Sequence, residues 1–473
     1  MAVARGSEEA RLLLEHEDQS NRSPSSPARS KLTHRLLPVA LLAALGSAGA
    51  AAPTVFAYAY LCCDNPLRCN EDEHQVYART TALATTIANI CGILALGPAA
   101  HFSRNRRSLG LSLWFLSRGL SERLTVAHKN IPLAIVGRAF EGAATDNILH
   151  FHLNAIYVEV APESDSPRLL GLSLAFYMVG LAASPPVTGM FKEFTWSFYF
   201  AIAVFSLSII YLQSCVPWTY HYRQQNDVKP AGRQNSTLSA WEATKGILKD
   251  TFSLSNPVIS PLSLFCTQPF AALYGLALFN FTAGNAYFFP ALMIHTSTRF
   301  AFTSQQNGFI FSLTSGATGI YMFLLLLVIP RTRIPSTLAS FSRRIGRPFT
   351  WDFVFALVSM MTLAVALYLL SAANESWQIY VVAVVSALGN AAPAFVKSHL
   401  NAMVEESLKA QAVSALALCE SLGSVASAII VGAAQSLGGG GGGLPFFVAS
   451  SLVISAAVFF FLAGCHGGPP SHG

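Results

Sequence analysis

The chain has 473 residues, of which 52% are hydrophobic and 11% are charged, and its formal net charge is +6. A soluble protein carries about 25% charged residues, so this composition excludes a soluble enzyme and indicates a membrane protein. The basic residues cluster in short segments between apolar runs, for example at 104–107. Such clustering is typical of the cytoplasmic loops of membrane proteins. We therefore expect a lipid bilayer as the surroundings and no nucleic-acid partner.

Residues 1–35 are polar and rich in Ser, Pro and charge, without the apolar core of a signal peptide. This composition predicts a disordered cytoplasmic tail. The apolar runs that follow are long enough to cross a bilayer, which takes about 20 residues. Eleven such runs cover 38–61, 78–100, 131–157, 169–190, 196–216, 268–293, 306–330, 353–371, 377–400, 412–434 and 444–464.

A twelfth span belongs at 109–128, but only its first half is convincingly apolar. Arg118, Glu122 and Arg123 follow, and a charged residue at mid-bilayer costs roughly 2.5–3.5 kcal/mol on insertion scales. For residues 117–129 we expect either a tilted, partly wet third helix or an incorrectly translated segment.

Twelve spans predict an all-α membrane protein with two six-helix bundles, at 36–216 and 264–465. The polar connector at 217–263 carries apolar residues at helical spacing, which predicts a helix on the membrane surface or, alternatively, a flexible linker. A short cytoplasmic tail at 466–473 follows the second bundle. With both termini cytoplasmic, the basic loops all lie on one side, as the distribution of Lys and Arg requires.

The cysteine and histidine spacings do not indicate a metal site. Cys62, Cys63 and Cys69 flank a short acidic loop, and this spacing allows a disulfide, without requiring one, if the loop faces an oxidising space. His150 and His152 point about 200° apart on a helix and cannot bind one ion together. The sequence contains no nucleotide-binding element of the Walker A type, so we expect no cofactor and no ATP-driven pump.

The loop after the second span contains a first local motif. Gly97 begins it and Arg104, Arg106 and Arg107 end it, which resembles the element G-x-L-x-D-R-x-G-R-R. His101 stands where that element has an acidic residue.

Two further motifs follow in the fourth and fifth spans. The segment from Arg138 to Ala144, with Glu141 at the usual glutamine, resembles R-x-x-Q-G-x-x-A. Gly180, Pro185 and Gly189 belong to a segment that resembles G-x-x-x-G-P-x-x-G-G. Together the three motifs resemble the major facilitator superfamily of secondary transporters, and the fifth-span element resembles its drug:proton antiporter branch.

This resemblance implies the major facilitator fold, with twelve helices in two six-helix bundles, of which the third helix is atypical. It also implies a monomeric secondary active transporter that moves a small organic solute by alternating access, coupled to protons, and that is not an enzyme. We expect it in the plasma membrane or in a vacuolar or endosomal membrane. Two alternatives are a transport-inactive relative acting as a sensor or scaffold, and a membrane-embedded enzyme.

The fourth span carries a stripe of polar residues that lipid will not accept, so it must face the bundle interior or a water-filled cavity. On a continuous helix, Arg138, Glu141 and His152 fall within an arc of about 60°. The candidates for proton coupling are Arg138, Glu141, Asp146, His150 and Glu420. A static Arg138–Glu141 pair that joins helices is the alternative.

Substrate contacts follow from the resemblance, which implies that the first, fourth, seventh and tenth helices line the cavity. Polar residues on these helices are therefore the candidates for binding the solute. They are Asn280, Asn285, Asn390, His152 and Asn154. Lys397, near the cytoplasmic end of the tenth span, is interpreted as extending its ammonium group to the membrane surface.

Overall fold

A computed structural model of the chain describes residues 27–66, 69–105, 107–127, 130–160, 166–191, 193–215, 262–324, 351–405, 408–438 and 442–466. Within these ranges the chain forms helices and short connections, with no β-strand, which confirms the all-α class. The first half contains α1 (Pro27–Cys62), α2 (Glu71–Asn105), α3 (Arg107–Ala127), α4 (Ile131–Gly142), α5 (Asp146–Val160), α6 (Ser166–Gly189) and α7 (Thr195–Cys215). The second half contains α8 (Ser263–Thr267), α9 (Pro269–Asn285), α10 (Phe288–Arg299), α11 (Ser304–Phe323), α12 (Trp351–Ser371), α13 (Ser376–Gly389), α14 (Ala392–Met403), α15 (Lys409–Leu437) and α16 (Leu444–His466).

Eight helical segments in the described part are long and apolar enough to cross a membrane. They are Arg35–Cys62, Glu71–Ala99, Leu172–Gly189, Thr195–Ser214, Trp351–Ser371, Ser376–Met403, Gln411–Leu437 and Leu444–Cys465. The count of twelve spans stays a prediction. The predicted spans outside this set include α3, which is polar, and the fourth and seventh, which are each split into shorter helices.

The ends of the predicted bundles differ in what the structure describes. Helix α1 begins at Pro27, so the predicted disordered tail is wrong for residues 27–35. Proline suits the first turn of a helix, where its missing N–H removes no hydrogen bond. The rest of the predicted tail, nearly all of the connector and the last seven residues lie outside the described residues.

Each half has its own apolar core. One cluster joins residues between Leu36 and Leu212, and another joins residues between Leu264 and Ala463. A third cluster contains Tyr58, Tyr77 and Ala134 from the first half together with Met293 and Ile294 from the second. The third cluster therefore ties the two halves together near the end of α1 and the start of α2.

That end of the molecule also carries the disulfide Cys63–Cys69, with a Cα–Cα distance of 5.3 Å. The bond closes the short acidic loop between α1 and α2, and Cys62 remains a free thiol. We call this side of the bundle the disulfide end. The sequence allowed a disulfide here without deciding whether it forms, and the structure has it between Cys63 and Cys69.

Three of the predicted spans are interrupted near their middle. The fourth breaks between α4 and α5, the seventh between α9 and α10, and the tenth between α13 and α14. A glycine lies at or next to the last residue before each break and packs against another helix: Gly142 against Ala88, Gly284 against Ala449 and Gly389 against Leu363. Helix α4 has 12 residues, or about 18 Å at ~1.5 Å per residue, so its break lies near the centre of a bilayer about 30 Å thick.

Side chains of neighbouring helices form hydrogen bonds with backbone groups at two of the breaks. The Tyr287 N–H donates to the Ser427 hydroxyl at 2.9 Å. Inside lipid an unsatisfied backbone group costs several kcal/mol, so this bond stabilises the break in the seventh span. In the fourth span the Thr145 carbonyl accepts from the N–H groups of α5 and also from the Trp114 ring N–H at 2.9 Å, which ties the break to α3.

Replacing Gly142 with alanine should destabilise the fold by about 1–3 kcal/mol, the usual range for overpacking. A Cβ there would lie 2.0 Å from the Ala88 carbonyl oxygen, so α2 and α4 would have to separate. Gly119→Ala is the matched control, since nothing lies within 4 Å of a Cβ at that position. Thermal unfolding of the two purified variants in detergent measures the difference. Equal melting temperatures would contradict the close α2–α4 contact.

Candidate functional site

A cluster of charged side chains lies at the break in the fourth span. Arg118 of α3 places Nη1 2.7 Å from Glu141 Oε1 and Nη2 3.3 Å from Asp146 Oδ1. Arg138 pairs with the other oxygen of Glu141, so two guanidinium groups share one carboxylate. Arg138 also donates to the Thr85 hydroxyl on α2 at 3.5 Å. The cluster thus connects α2, α3, α4 and α5.

Exposure differs between the members of the cluster. The side chains of Arg118 and Arg138 are 9% and 16% exposed, whereas those of Glu141 and Asp146 are 24% and 46% exposed. Because lipid does not solvate carboxylates, this exposed side must face water. Glu122, one turn beyond Arg118, is 3% exposed and close enough to both arginines and Glu141 to interact electrostatically with them.

The sequence prediction found Arg138, Glu141 and Asp146 but missed Arg118 and Glu122. For this segment it expected either a tilted, partly wet helix or an incorrectly translated stretch, whereas α3 is a regular helix that buries Arg118 and Glu122 and leaves Arg123 exposed. A signal was present. One face of α3 is buried, and its residues recur at intervals of one to four, mostly three or four. They are Trp114, Arg118, Ser121, Glu122 and Thr125.

Contacts on either side of Arg118 fix the position of α3. The Ser117 hydroxyl donates to the Phe140 carbonyl at 2.7 Å, and the Arg118 guanidinium lies 5.6 Å from the centre of the Trp114 ring. A Cβ on Gly137 would lie 3.0 Å from the Ser121 carbonyl oxygen, which shows how closely α3 and α4 approach. The close approach brings the Arg118 side chain within reach of Glu141.

The cluster lies beside the contact between the two halves, where Tyr58 and Tyr77 meet Met293 and Ile294. We call this contact the seam. Tyr58 of α1 and Tyr287, in the break between α9 and α10, are fully or almost fully buried, and both interact electrostatically with Arg138. The Tyr58 hydroxyl donates to the Ala134 carbonyl at 3.3 Å, whereas the Tyr287 hydroxyl has no hydrogen-bond partner among the described residues. A change in the position of Arg138 would therefore change the electrostatic environment of Tyr287 in the second half.

Two predicted cavity residues meet in the second half. Asn285 Nδ2 donates to Asn390 Oδ1 at 3.2 Å, and Asn390 Nδ2 donates to the Thr318 hydroxyl at 3.4 Å. Asn285 ends α9 and Asn390 lies between α13 and α14, so each amide occupies a helix break. The partly exposed pair has hydrogen-bonding capacity left for a polar solute.

Glu420 is paired rather than solitary. Lys397 Nζ lies 2.6 Å from Glu420 Oε2, which joins α14 to α15. The interpretation of Lys397 as a side chain that extends to the membrane surface is therefore wrong, because the carboxylate holds its ammonium group within the bundle. Nearby on α15, the Ser424 carbonyl accepts from Asn89 of α2 at 2.8 Å, so this region also touches the seam.

Several other predicted residues lie apart from the cluster. The predicted arc of Arg138, Glu141 and His152 is wrong, because the break places His152 on a different helix, where it packs against Gly110. His150 packs on the Tyr177 ring with centroids 4.6 Å apart. Asn154 lies on α5, and its side chain is outside the described residues.

Asn280 does not accompany the other two amides. Its Oδ1 accepts from Ser455 of α16 at 3.2 Å, and its Nδ2 donates to the Leu276 carbonyl of its own helix. Five residues on a helix turn the side chain about 140° away from Asn285. The placement of Asn280 with Asn285 in the cavity is therefore wrong, and its contact with α16 is one of packing.

The predicted gating residues of α6 lie along its contacts with both halves. A Cβ on Gly180 would lie 2.7 Å from the Leu41 carbonyl oxygen of α1. Pro185 and Gly189 face Gly308 and Gln305 of α11. Gly97 and Arg104 lie on α2 and Arg107 begins α3, but the side chains of both arginines are outside the described part, as is Arg106 altogether. Their role in gating stays a prediction.

The sequence matches the model of the Major Facilitator Superfamily over residues 36–342. The chain belongs to the major facilitator superfamily. No curated protein sequence matched the chain. Because the superfamily is one of membrane transporters, the chain is an integral, multi-pass membrane protein with a transporter fold.

Solved structures of transporters share this fold. The nucleoside transporter NupG is 11% identical, with a TM-score of 0.62 over 91% of this chain and 98% of that one. A D-xylose-proton symporter is 13% identical, with a TM-score of 0.60 over 92% and 99% of the two chains. The human organic anion transporter MFSD10 is 13% identical, with a TM-score of 0.56 over 92% and 100%. At these identities the likeness shows the fold alone.

Arg118→Gln should destabilise the protein by about 3 kcal/mol, the lower end of the range for breaking a buried pair, because Glu141 loses one of its two cations and Asp146 loses its pairing with Arg118. Arg123→Gln is the matched control on the same helix, since Arg123 is exposed. Thermal unfolding of the purified variants measures the effect. Combining Arg118→Gln with Glu141→Gln should restore part of the stability, and a double variant no more stable than the single one would contradict the pairing.

Proposed function

We propose that this protein is a secondary active transporter of a small organic solute, that it works by alternating access, and that protons drive it. The observation that carries the proposal is the charged cluster of Arg118, Arg138, Glu141 and Asp146, buried at a helix break beside the seam. A buried group that must exchange protons needs both a fixed cation and access to water. Arg138 supplies the first, and the exposed side of Asp146 supplies the second.

The broken helices support a binding site in the same layer of the membrane. Transporters form their sites near the bilayer midplane from discontinuous helices, whose free backbone groups and side chains meet the substrate. Here the charged cluster lies at the break in the fourth span, in one half. The Asn285–Asn390 pair lies at the breaks in the seventh and tenth spans, in the other half. The solute we propose therefore carries several hydrogen-bonding groups. Nucleosides, sugars and organic anions are the first classes to test.

Packing of the two halves supports alternating access. The cluster containing Tyr77, Met293 and Ile294 joins the halves at the disulfide end, whereas the carboxylates at mid-span remain partly exposed. Water would then reach the site from the opposite end. We propose that the structure is closed at the disulfide end and that transport requires this packing to open.

We propose that the disulfide end faces the outside of the cell or the lumen of an organelle, with both termini cytoplasmic. The distribution of Lys and Arg favours this orientation. A disulfide persists in an oxidising space and is rare in the cytosol, which favours the same orientation. The protein acts as a monomer in this proposal, and no enzymatic step is part of it.

Arg138→Ala should leave a folded protein that no longer accumulates solute against a gradient. A solute is first found by thermal-shift screening of the three classes at two pH values, and uptake is then driven by a pH gradient in proteoliposomes. One proton crossing 100 mV supplies about 2.3 kcal/mol, or roughly fifty-fold accumulation, which the variant should lose. Arg138→Lys keeps the charge but not the guanidinium fork and should be partly active.

Arg123→Ala is the control for loss of an arginine at an exposed site. Full pH-driven accumulation by Arg138→Ala would remove Arg138 from the mechanism. A verified absence of flux for every solute, with intact folding and binding, would favour the transport-inactive sensor or scaffold instead.

Orientation can be tested with two cysteine variants in a background without unpaired cysteines. Asp72→Cys, at the exposed start of α2, should react with a membrane-impermeant maleimide in intact cells. Glu405→Cys, in the exposed turn between α14 and α15, should react only after permeabilisation. The reverse pattern would show that the orientation is inverted. For a protein in an internal membrane, the same test applies to sealed organelles, where Glu405→Cys should react first.

A further inference from the structure

The charged cluster contains more carboxyl groups than cations. Arg118 and Arg138 lie among Glu122, Glu141 and Asp146. Guanidinium groups do not lose their protons in proteins, so three ionised carboxylates would leave the cluster with a net charge of −1. An uncompensated charge away from water is so costly that the group takes up a proton instead.

The contacts single out one of the three carboxyl groups as the proton carrier. Glu141 is held by both guanidinium groups, which favours its ionised form. Asp146 pairs with Arg118 and is 46% exposed, so water also stabilises its charge. Glu122 is 3% exposed and, among the residues that the structure describes, forms neither an ion pair nor a hydrogen bond through its carboxyl group.

Among the side chains that the structure describes, the helices packed around α3 bring no further cation to Glu122. Arg138 and Glu141 face it from α4, and Arg118 lies one turn away on its own helix. Helix α7, which packs along α3, contains no charged residue, and α2 contributes Thr85 to the cluster. In the described part of the chain, the other titratable groups that interact with the two arginines are Tyr58 of α1, Tyr177 of α6 and Tyr287 of the second half, with Asp146 of α5 beyond Arg118.

We propose that the cluster holds one proton in this conformation, that Glu122 carries it, and that this is the proton the transporter exchanges. On release, the Glu122 O–H bond breaks and the proton passes to water on the exposed side of Asp146. The new carboxylate then competes with Glu141 for Arg138. Because Tyr287 lies beside Arg138, the shift reaches the second half. Only the last part of this proposal, the role in transport, rests on the function proposed above.

The protonated carboxyl can be detected without knowing the solute. Infrared spectroscopy of the purified full-length protein in lipid at neutral pH should show the C=O stretching band of a protonated carboxylic acid, which shifts in deuterated buffer. Glu122→Gln should remove the intensity of one carboxyl from this band, and Glu122→Asp should keep a band at a changed frequency. Glu405→Gln, at an exposed position, should leave the band unchanged.

Charge balance predicts the opposite change for a cation. Arg138→Gln removes one positive charge, so the cluster should take up a second proton and the band should gain the intensity of one further carboxyl. An unchanged band in either Glu122→Gln or Arg138→Gln would overturn the proposal. If Glu122→Gln fails to fold, Glu122→Asp and Arg138→Gln decide the question.

Failure of this inference is distinguishable from failure of the proposed function. An intact band in Glu122→Gln, together with pH-driven uptake by the unmodified protein, would show that another group carries the proton. The predicted band changes without any pH-driven uptake would confirm the protonation but remove its role in transport. If both succeed, Glu122→Gln should also flatten the pH dependence of uptake while solute exchange at equal concentrations survives.

Discussion

Two guanidinium groups cannot remain inside a lipid-embedded bundle unless carboxylates and water offset their charge. In this protein Glu141 accepts from both Arg118 and Arg138, and Arg138 also donates to Thr85, so α2, α3 and α4 have to approach one another closely. The approach is made possible by residues without side chains. Gly142 lets α4 touch α2, and Gly137 lets it touch α3. The charge cluster and the helix packing are thus two aspects of one constraint.

The same constraint explains why the fourth span is broken. A continuous helix would carry Asp146 on a neighbouring face from Glu141, whereas the break lets both carboxylates reach the Arg118 guanidinium. Trp114 ties α3 to the break by donating to the Thr145 carbonyl, which also accepts from the first N–H groups of α5. Similar breaks in the seventh and tenth spans bring Asn285 and Asn390 together. Irregular backbone at this depth is tolerated only where it is buried in protein or lines a cavity, which supports a site between the halves.

Much of the fold could be predicted from sequence, because a transmembrane helix requires a run of about 20 mostly apolar residues, which a single sequence shows. The Arg138–Glu141 pair was predictable for a similar reason, since residues three apart on a helix are neighbours. Arg118 and Glu122 were missed because a single-sequence hydropathy pattern treats charge in a span as a defect. Their inward face becomes convincing only when the partners on α4 and α5 are known. The helix breaks were not predicted either. A glycine such as Gly142 also occurs inside continuous helices, and its contact with Ala88 of α2 is known only from the structure.

In the proposed mechanism, protonation of the cluster controls whether the disulfide end opens. Spin labels at Asp72 and Ala372, exposed residues of the two halves at that end, allow the distance between the halves to be measured by double electron–electron resonance. The distance distribution should shift between acidic and alkaline pH, and Glu122→Gln should abolish the shift while the protein stays folded. A pH-dependent shift that survives Glu122→Gln, or no shift in the otherwise unmodified protein, would contradict the proposed mechanism.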